Sequence, residues 1–170
     1  MAKSVKMIPA YVASVIRAHS DSYLSEHEFC LGMVIFALPD YGVQFKCQAE
    51  GKPIDLEFGA FFALLRFIEA SLADEKIASV AVLSSSPEFV FAFTGRSRHL
   101  ETGSDRQKLL KERTAKLEVA VSYTEPERNL ALLSPADYPS LPEGKTVVIK
   151  SKLTDATARS FRPIQKGIRI

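Results

Sequence analysis

The chain has 170 residues and a mass of 18.8 kDa, with 46% hydrophobic residues, 25% charged residues and a net charge of +2. That size and balance predict one ordinary domain and exclude a wholly disordered or collagen-like protein. The longest apolar run, Phe29 to Pro39, is eleven residues, too short to cross a bilayer. The first residues carry no long apolar core with a small-residue cleavage site, so a cytoplasmic protein without a membrane partner is expected.

In chain order, Ile8, Val12, Val15 and Ile16 fall at helical spacing, which predicts an amphipathic helix over residues 8–19 with Pro9 in its first turn. Phe29 to Leu38 is apolar on both alternating sets, the pattern of a strand buried on both faces. Pro39-Asp40-Tyr41-Gly42 marks a turn. Val43, Phe45, Cys47 and Ala49 then alternate with Gln44, Lys46 and Gln48, as in a half-buried strand. After a second turn at Glu50 to Pro53, Ile54, Leu56 and Phe58 alternate with Asp55 and Glu57. This predicts a short third strand and an antiparallel meander.

From about Leu56 the period becomes helical through Phe58, Phe61, Phe62, Leu65, Ile68 and Leu72. Helical spacing makes the phenylalanines core residues and not a base-stacking platform. Ala78 to Leu83 reads as a buried strand. Ser85 or Ser86 caps a helix over Pro87 to Thr94, and Ser85 with Glu88 has capping-box spacing. Ser104 to Leu117 is a further helical stretch, Glu118 to Tyr123 a strand and Glu125 to Leu133 a short helix. A Pro-rich link follows, with Thr146 to Ile149 as one more candidate strand.

With Pro39 to Gly42 as a hairpin turn, Cys30 falls opposite about Gly51. The offset from Cys47 is then about 13 Å along the strands at ~3.3 Å per residue, beyond disulfide reach. Two buried thiols are expected.

The order of these elements resembles the ribonuclease H-like fold over roughly residues 29–134. The residues that carry the likeness are Leu56-Glu57-Phe58-Gly59-Ala60 leading into FFALLRFIEA, the junction VAVLSSSPEFVFAF, and VAVSYTEPERNLALL. The resemblance implies an α/β domain with a central mixed five-stranded sheet, built as a three-strand antiparallel meander and then β-α-β, flanked by helices. Residues 1–28 would be an N-terminal helical extension, and residues 135–170 a Pro-rich link and basic tail. The resemblance also implies cleavage of nucleic acid by four carboxylates that hold two divalent cations ~3.5–4 Å apart. Only Glu57 matches that pattern. The first-strand position reads Phe36-Ala37-Leu38, the position after the fourth strand reads Ser85, and the last reads Asn129 or a neighbour. No metal or other cofactor is therefore expected. Asp40 and Asp55 lie near Glu57 in sequence, with Asp55 on the same predicted strand face, which leaves a rearranged catalytic site of Asp40, Asp55 and Glu57 as an alternative.

Other chemistries fail on spacing. Gly144-Lys145-Thr146 lacks the earlier glycine of a phosphate-binding loop. The serine run lacks the glycines of a nucleophile elbow. His19, His27 and His99 are too scattered for a zinc site.

The charge is sorted along the chain. Residues 1–95 carry a balance of −4, residues 96–116 of +4, residues 117–142 of −3 and residues 143–170 of +5. A basic segment in an acidic body suits an anionic partner. The reading is a non-catalytic domain that binds nucleic acid through phosphate contacts from Arg96, Arg98, Arg106, Lys108, Lys111 and Arg113. The competing reading is a protein-interaction module that forms a homo-oligomer, with residues 151–170 docked on the acidic body of a second copy.

Overall fold

The computed structural model describes residues 6–19, 30–94, 97–101, 103–133 and 147–152. Strand β1 (Lys6–His19) runs antiparallel to β2 (Cys30–Leu38), which runs antiparallel to β3 (Val43–Gly51). Helix α1 (Pro53–Ser71) leads to β4 (Ile77–Ser84), short helix α2 (Pro87–Ala92), helix α3 (Asp105–Arg113) and β5 (Glu118–Tyr123). Strand β6 (Val147–Lys152) closes the described chain. The sheet order is β5-β4-β1-β2-β3-β6, with β4 parallel to β1, β5 parallel to β4 and β6 parallel to β3.

The mixed five-stranded sheet is therefore present, but its first strand is not where the sequence pattern placed it. Residues 8–19 are a strand and not a helix, so they are no extension: they form the middle of the sheet. Ile8, Ala10 and Val12 alternate inward at 0% exposure, and Ala13 is buried on the other face. Burial on both faces erases the period-2 signal, and Val12, Val15 and Ile16 then mimic a helical stripe. Pro9 is tolerated because pairing with β2 begins only at Tyr11 and Ala37.

The predicted third strand over residues 54–58 is instead the first turn and a half of α1. Five residues cannot separate a period of 2 from a period of 3.6, and Pro53 at the first helical position decides for the helix. The expected helix over residues 125–133 is only a 3-10 turn at Pro126–Arg128 followed by turns. The link and tail at 135–170 are not wholly outside the domain, because β6 pairs with β3 from Val43 to Gln48.

Other expectations hold. The tight turn after β2 closes through Gly42, whose φ of 61° suits glycine and whose N–H donates to the Pro39 carbonyl at 3.1 Å. In the β2–β3 ladder Cys30 pairs with Gly51, and Cys47 lies opposite Val34. Of the two capping candidates it is Ser86 that caps α2, accepting from the Phe89 N–H at 3.2 Å.

Among the described residues, the two faces of the sheet are covered unequally. On one face, α1, α2 and α3 close over a core of Ile8, Val12, Val34, Phe36, Val80, Val82 and the inward side of α1. Phe58, Phe61 and Phe62 are core residues as expected, and the buried Phe89 lies edge-on to Phe58 at 4.9 Å. On the other face, Leu130 and Ala131 pack on Ala13, Ile35 and Ala37. Among the described residues, no helix is long and apolar enough to cross a membrane.

A close approach between β1, β2 and α1 is made at Gly32. A Cβ there would lie 2.7 Å from the Val15 carbonyl oxygen and 2.9 Å from Leu56 Cδ1. Gly32→Ala is expected to destabilise the fold by about 1–3 kcal/mol, read as a lower urea midpoint at unchanged m-value.

Candidate functional site

At the carboxyl end of β4 and the middle of β1, polar side chains converge beneath the start of α1. Val12 of β1 pairs with Ser84, the last residue of β4. Two residues beyond Val12, on the same face of the strand, stands Ser14. Glu57, 3% exposed, is aimed from α1 at both serines. Ser14 Oγ donates to Glu57 Oε2 at 2.8 Å, and Ser84 Oγ donates to Glu57 Oε1 at 2.5 Å. Ser84 Oγ in turn accepts from the Ser86 N–H at 3.0 Å, which locks the start of the loop into α2.

Asn129 completes the cluster from the segment after β5. Its Nδ2 donates to the Val12 carbonyl at 3.0 Å and to Ser85 Oγ at 3.2 Å, while Oδ1 accepts from the Ala131 N–H at 3.0 Å. Every polar atom of the Asn129 carboxamide is thus engaged in holding β1, the end of β4 and the 129–131 turn together. The side chain is fully buried, where an unpaired amide would cost about 1–3 kcal/mol.

The structure brings together Glu57, Ser85 and Asn129 in this region, and it adds Ser14 and Ser84, which sequence reasoning missed. Ser14 was hidden by the helical reading of residues 8–19, although Ile8, Ala10, Val12 and Ser14 already alternate. Phe36 and Ala37, the expected first-strand position, lie in β2 as core residues.

Asp40, Asp55 and Glu57 do not form a rearranged site. Asp55 is two residues from Glu57 on α1, turned by about 200° around the axis, and pairs with Arg106 of α3. Asp40 is exposed in the turn between β2 and β3. Its neighbour Tyr41 donates to Glu75, beyond the far end of α1 from Glu57. The 14 helical residues that follow Glu57, to Ser71, separate the two regions by roughly 21 Å.

The donor set at the strand ends does not suit a pair of divalent cations, which require several anionic oxygens. One carboxylate, hydroxyls and a fully engaged carboxamide stand there, and both Glu57 oxygens already accept hydroxyl protons. Among the described residues, no three of His, Cys, Asp and Glu stand close enough to share an ion.

The basic residues divide into two groups. Arg106 and Arg113 face α1: Arg106 pairs with Asp55 and lies over the Phe58 ring at 4.3 Å, and Arg113 donates to Glu69 at 2.8 Å. Lys108 and Lys111, three residues apart on α3, are exposed. Arg98 lies in a 3-10 turn of which only the backbone is described, and Arg96 falls outside the described residues. His99 pairs with Glu88 of α2 at 2.7 Å.

Burial pushes the Glu57 carboxyl above its ordinary range, against the opposing pull of the Ser84 and Ser14 hydroxyls. A carboxyl raised on folding binds more protons in the folded chain than in the unfolded one. The stability it contributes is fully present below the unfolded value of 4.5 and is lost as pH rises through the folded value. Glu57→Gln keeps a hydrogen-bonding side chain that does not ionise. Thermal midpoints measured over a pH series should shift in favour of this variant, relative to the parent, as pH rises above 4.5. Parallel curves would refute the assignment.

No family model matches the chain, and no curated protein matches it by sequence. Solved structures do match. RNase H1 from the halophilic archaeon Halobacterium salinarum superposes with a TM-score of 0.52 at 13% identity, covering 74% of this chain and 91% of that one. The N-terminal RNase H domain of a Mycobacterium tuberculosis protein superposes with a TM-score of 0.52 at 13% identity, over 74% of this chain and 92% of the other. An RNase H1 solved in complex with an RNA/DNA hybrid gives a TM-score of 0.52 at 14% identity, over 72% and 88%. At such identities the likeness concerns architecture. Strand order, the placement of α1 and these superpositions together establish that the chain has the ribonuclease H-like fold.

Proposed function

We propose that this chain is a ribonuclease H-like domain that works by binding and not by hydrolysis, with nucleic acid as its ligand class. The observation that carries the non-hydrolytic reading is the state of Glu57. Its buried carboxylate is spent on Ser14 and Ser84, and the groups around it are neutral. A phosphodiester attacked by water needs anionic oxygens to hold cations on it, and one enclosed carboxylate is a poor substitute.

The ligand class rests on two supports. One solved structure of the same fold holds an RNA/DNA hybrid, and Lys108 and Lys111 present an exposed basic pair on α3. Arg96 and Arg98 precede that helix in the same basic segment. Arg106 and Arg113, already paired with Asp55 and Glu69, serve to hold α3 on α1. That internal use of two of the six expected contacts favours, as a second reading, a protein-interaction module. Its proposed oligomer contact through residues 151–170 lies mostly outside the described residues, and Ser151 and Lys152 belong to β6.

The full chain is expected to leave an RNA–DNA hybrid and single-stranded RNA intact with Mg²⁺ or Mn²⁺. Metal-dependent cleavage abolished by Glu57→Ala would overturn the non-hydrolytic reading. Binding to the same hybrid, followed by fluorescence anisotropy, should weaken linearly in log–log salt. Lys108→Ala with Lys111→Ala should reduce the slope by roughly 1.4–1.8, at about 0.7–0.9 per phosphate contact. Arg106→Ala should instead act first on stability. Affinity absent near physiological salt, or unmoved by the lysine substitutions, would end the nucleic-acid reading for α3.

A further inference from the structure

Where the end of α1 meets the start of β4 and the end of α3, side chains line a cavity of about 340 Å³. That is the small end of the range of ligand pockets, about 300–1,000 Å³. Leu65 and Ile68 of α1 are buried in its wall, and Leu72, Ile77 and Leu117 are partly buried beside them. The remaining lining is charged. Arg113 and Glu69 form an ion pair at 2.8 Å. Lys76, Lys116 and Glu112 are exposed and make no ion pair among the described residues.

The two lysines are not spent on the fold. A lysine near a helix end ordinarily complements the free carbonyls of the last turn. Here those carbonyls have backbone partners. Ile68 accepts from the Leu72 N–H at 3.1 Å, and Leu72 accepts from the Glu75 N–H at 3.0 Å. Leu110 accepts from the Thr114 N–H at 2.9 Å, and Thr114 from the Leu117 N–H at 3.3 Å. Glu75, next to Lys76, is held by Lys6 at 2.9 Å. Lys76 itself has a φ of 53°, and among the described residues no other residue except glycine has a positive φ. Glycine takes that conformation without strain. A lysine there sets an ammonium beside the cavity against the local backbone preference.

We infer that this cavity binds a small amphipathic monoanion, an apolar body with one terminal carboxylate. The apolar body displaces water from Leu65, Ile68 and Leu72, and the carboxylate meets the ammonium groups of Lys76 and Lys116. Charge decides the sign of the ligand. Three cations face two acids in the lining, and one of those acids, Glu69, is already held by Arg113. The cavity lies at the opposite end of α1 from Glu57, so it depends neither on that cluster nor on Lys108 and Lys111.

The test titrates the full chain with octanoate, below its micellar concentration, and follows methyl resonances. Saturable shifts are expected at Leu65, Ile68, Ile77 and Leu117, with Ile35 on the other face of the sheet unmoved. Octylammonium, the same apolar body with the opposite charge, should bind several-fold more weakly. Lys76→Gly separates ligand contact from folding, because glycine suits the backbone there: the urea midpoint should hold while octanoate affinity falls several-fold. Lys116→Gln, at an exposed position, should weaken octanoate likewise and carries the test alone if Lys76→Gly loses stability. Shifts that do not saturate, octylammonium binding as tightly as octanoate, or octanoate affinity unchanged in Lys116→Gln would each overturn the proposal.

Discussion

The double burial of β1 is the constraint on which the rest of the molecule depends. This strand stands where the sheet changes from antiparallel pairing with β2 to parallel pairing with β4. Ile8, Ala10 and Val12 face the helices while Ala13 faces the 129–131 turn. A strand so placed must be short-sided and apolar on both faces. It also brings Val12 and Ser14, in its middle, beside the carboxyl end of β4. The site exists because the end of β4 meets the middle of β1 under α1.

That junction holds a buried carboxylate at an energetic disadvantage. Removing Glu57 from water costs stability unless its oxygens find donors. Ser14 and Ser84 provide one each, and burial still dominates, as the upward displacement of its proton affinity indicates. Asn129 is a different case: it is neutral and fully satisfied, and it acts as a clamp across three chain segments. The cluster thus ties α1, β1, β4 and the 129–131 turn together.

Helix α3 shows how the same residue type divides between structure and surface. It has few apolar residues of its own, and Leu109 and Leu110 are only partly buried against the core. Arg106 compensates by pairing with Asp55 and lying over the Phe58 ring, and Arg113, two turns on along the same face, reaches Glu69. A guanidinium can stack and pair at once, which a lysine ammonium does poorly. The two lysines are left outside, and they alone of the described basic residues on this helix are available to a ligand.

Much of the architecture was legible in local pattern. The Pro39–Gly42 turn set the β2–β3 register and so separated Cys30 from Cys47, because a tight turn fixes every pair that follows it. The strand at residues 77–84, the serine cap of α2 and the strand at residues 118–123 each carry a signal contained within ten residues. Glu57 was singled out by the resemblance of Leu56 to Ala60 to the ribonuclease H-like pattern. The tertiary structure alone decided that residues 6–19 form a strand and that residues 54–58 open a helix. In both places short apolar spacings satisfy two periods at once, and only neighbouring strands choose between them. It alone paired Ser14 and Ser84 with Glu57 across 43 and 27 residues. It also turned Arg106 and Arg113 inward. Such contacts depend on which faces meet, and no local period encodes that.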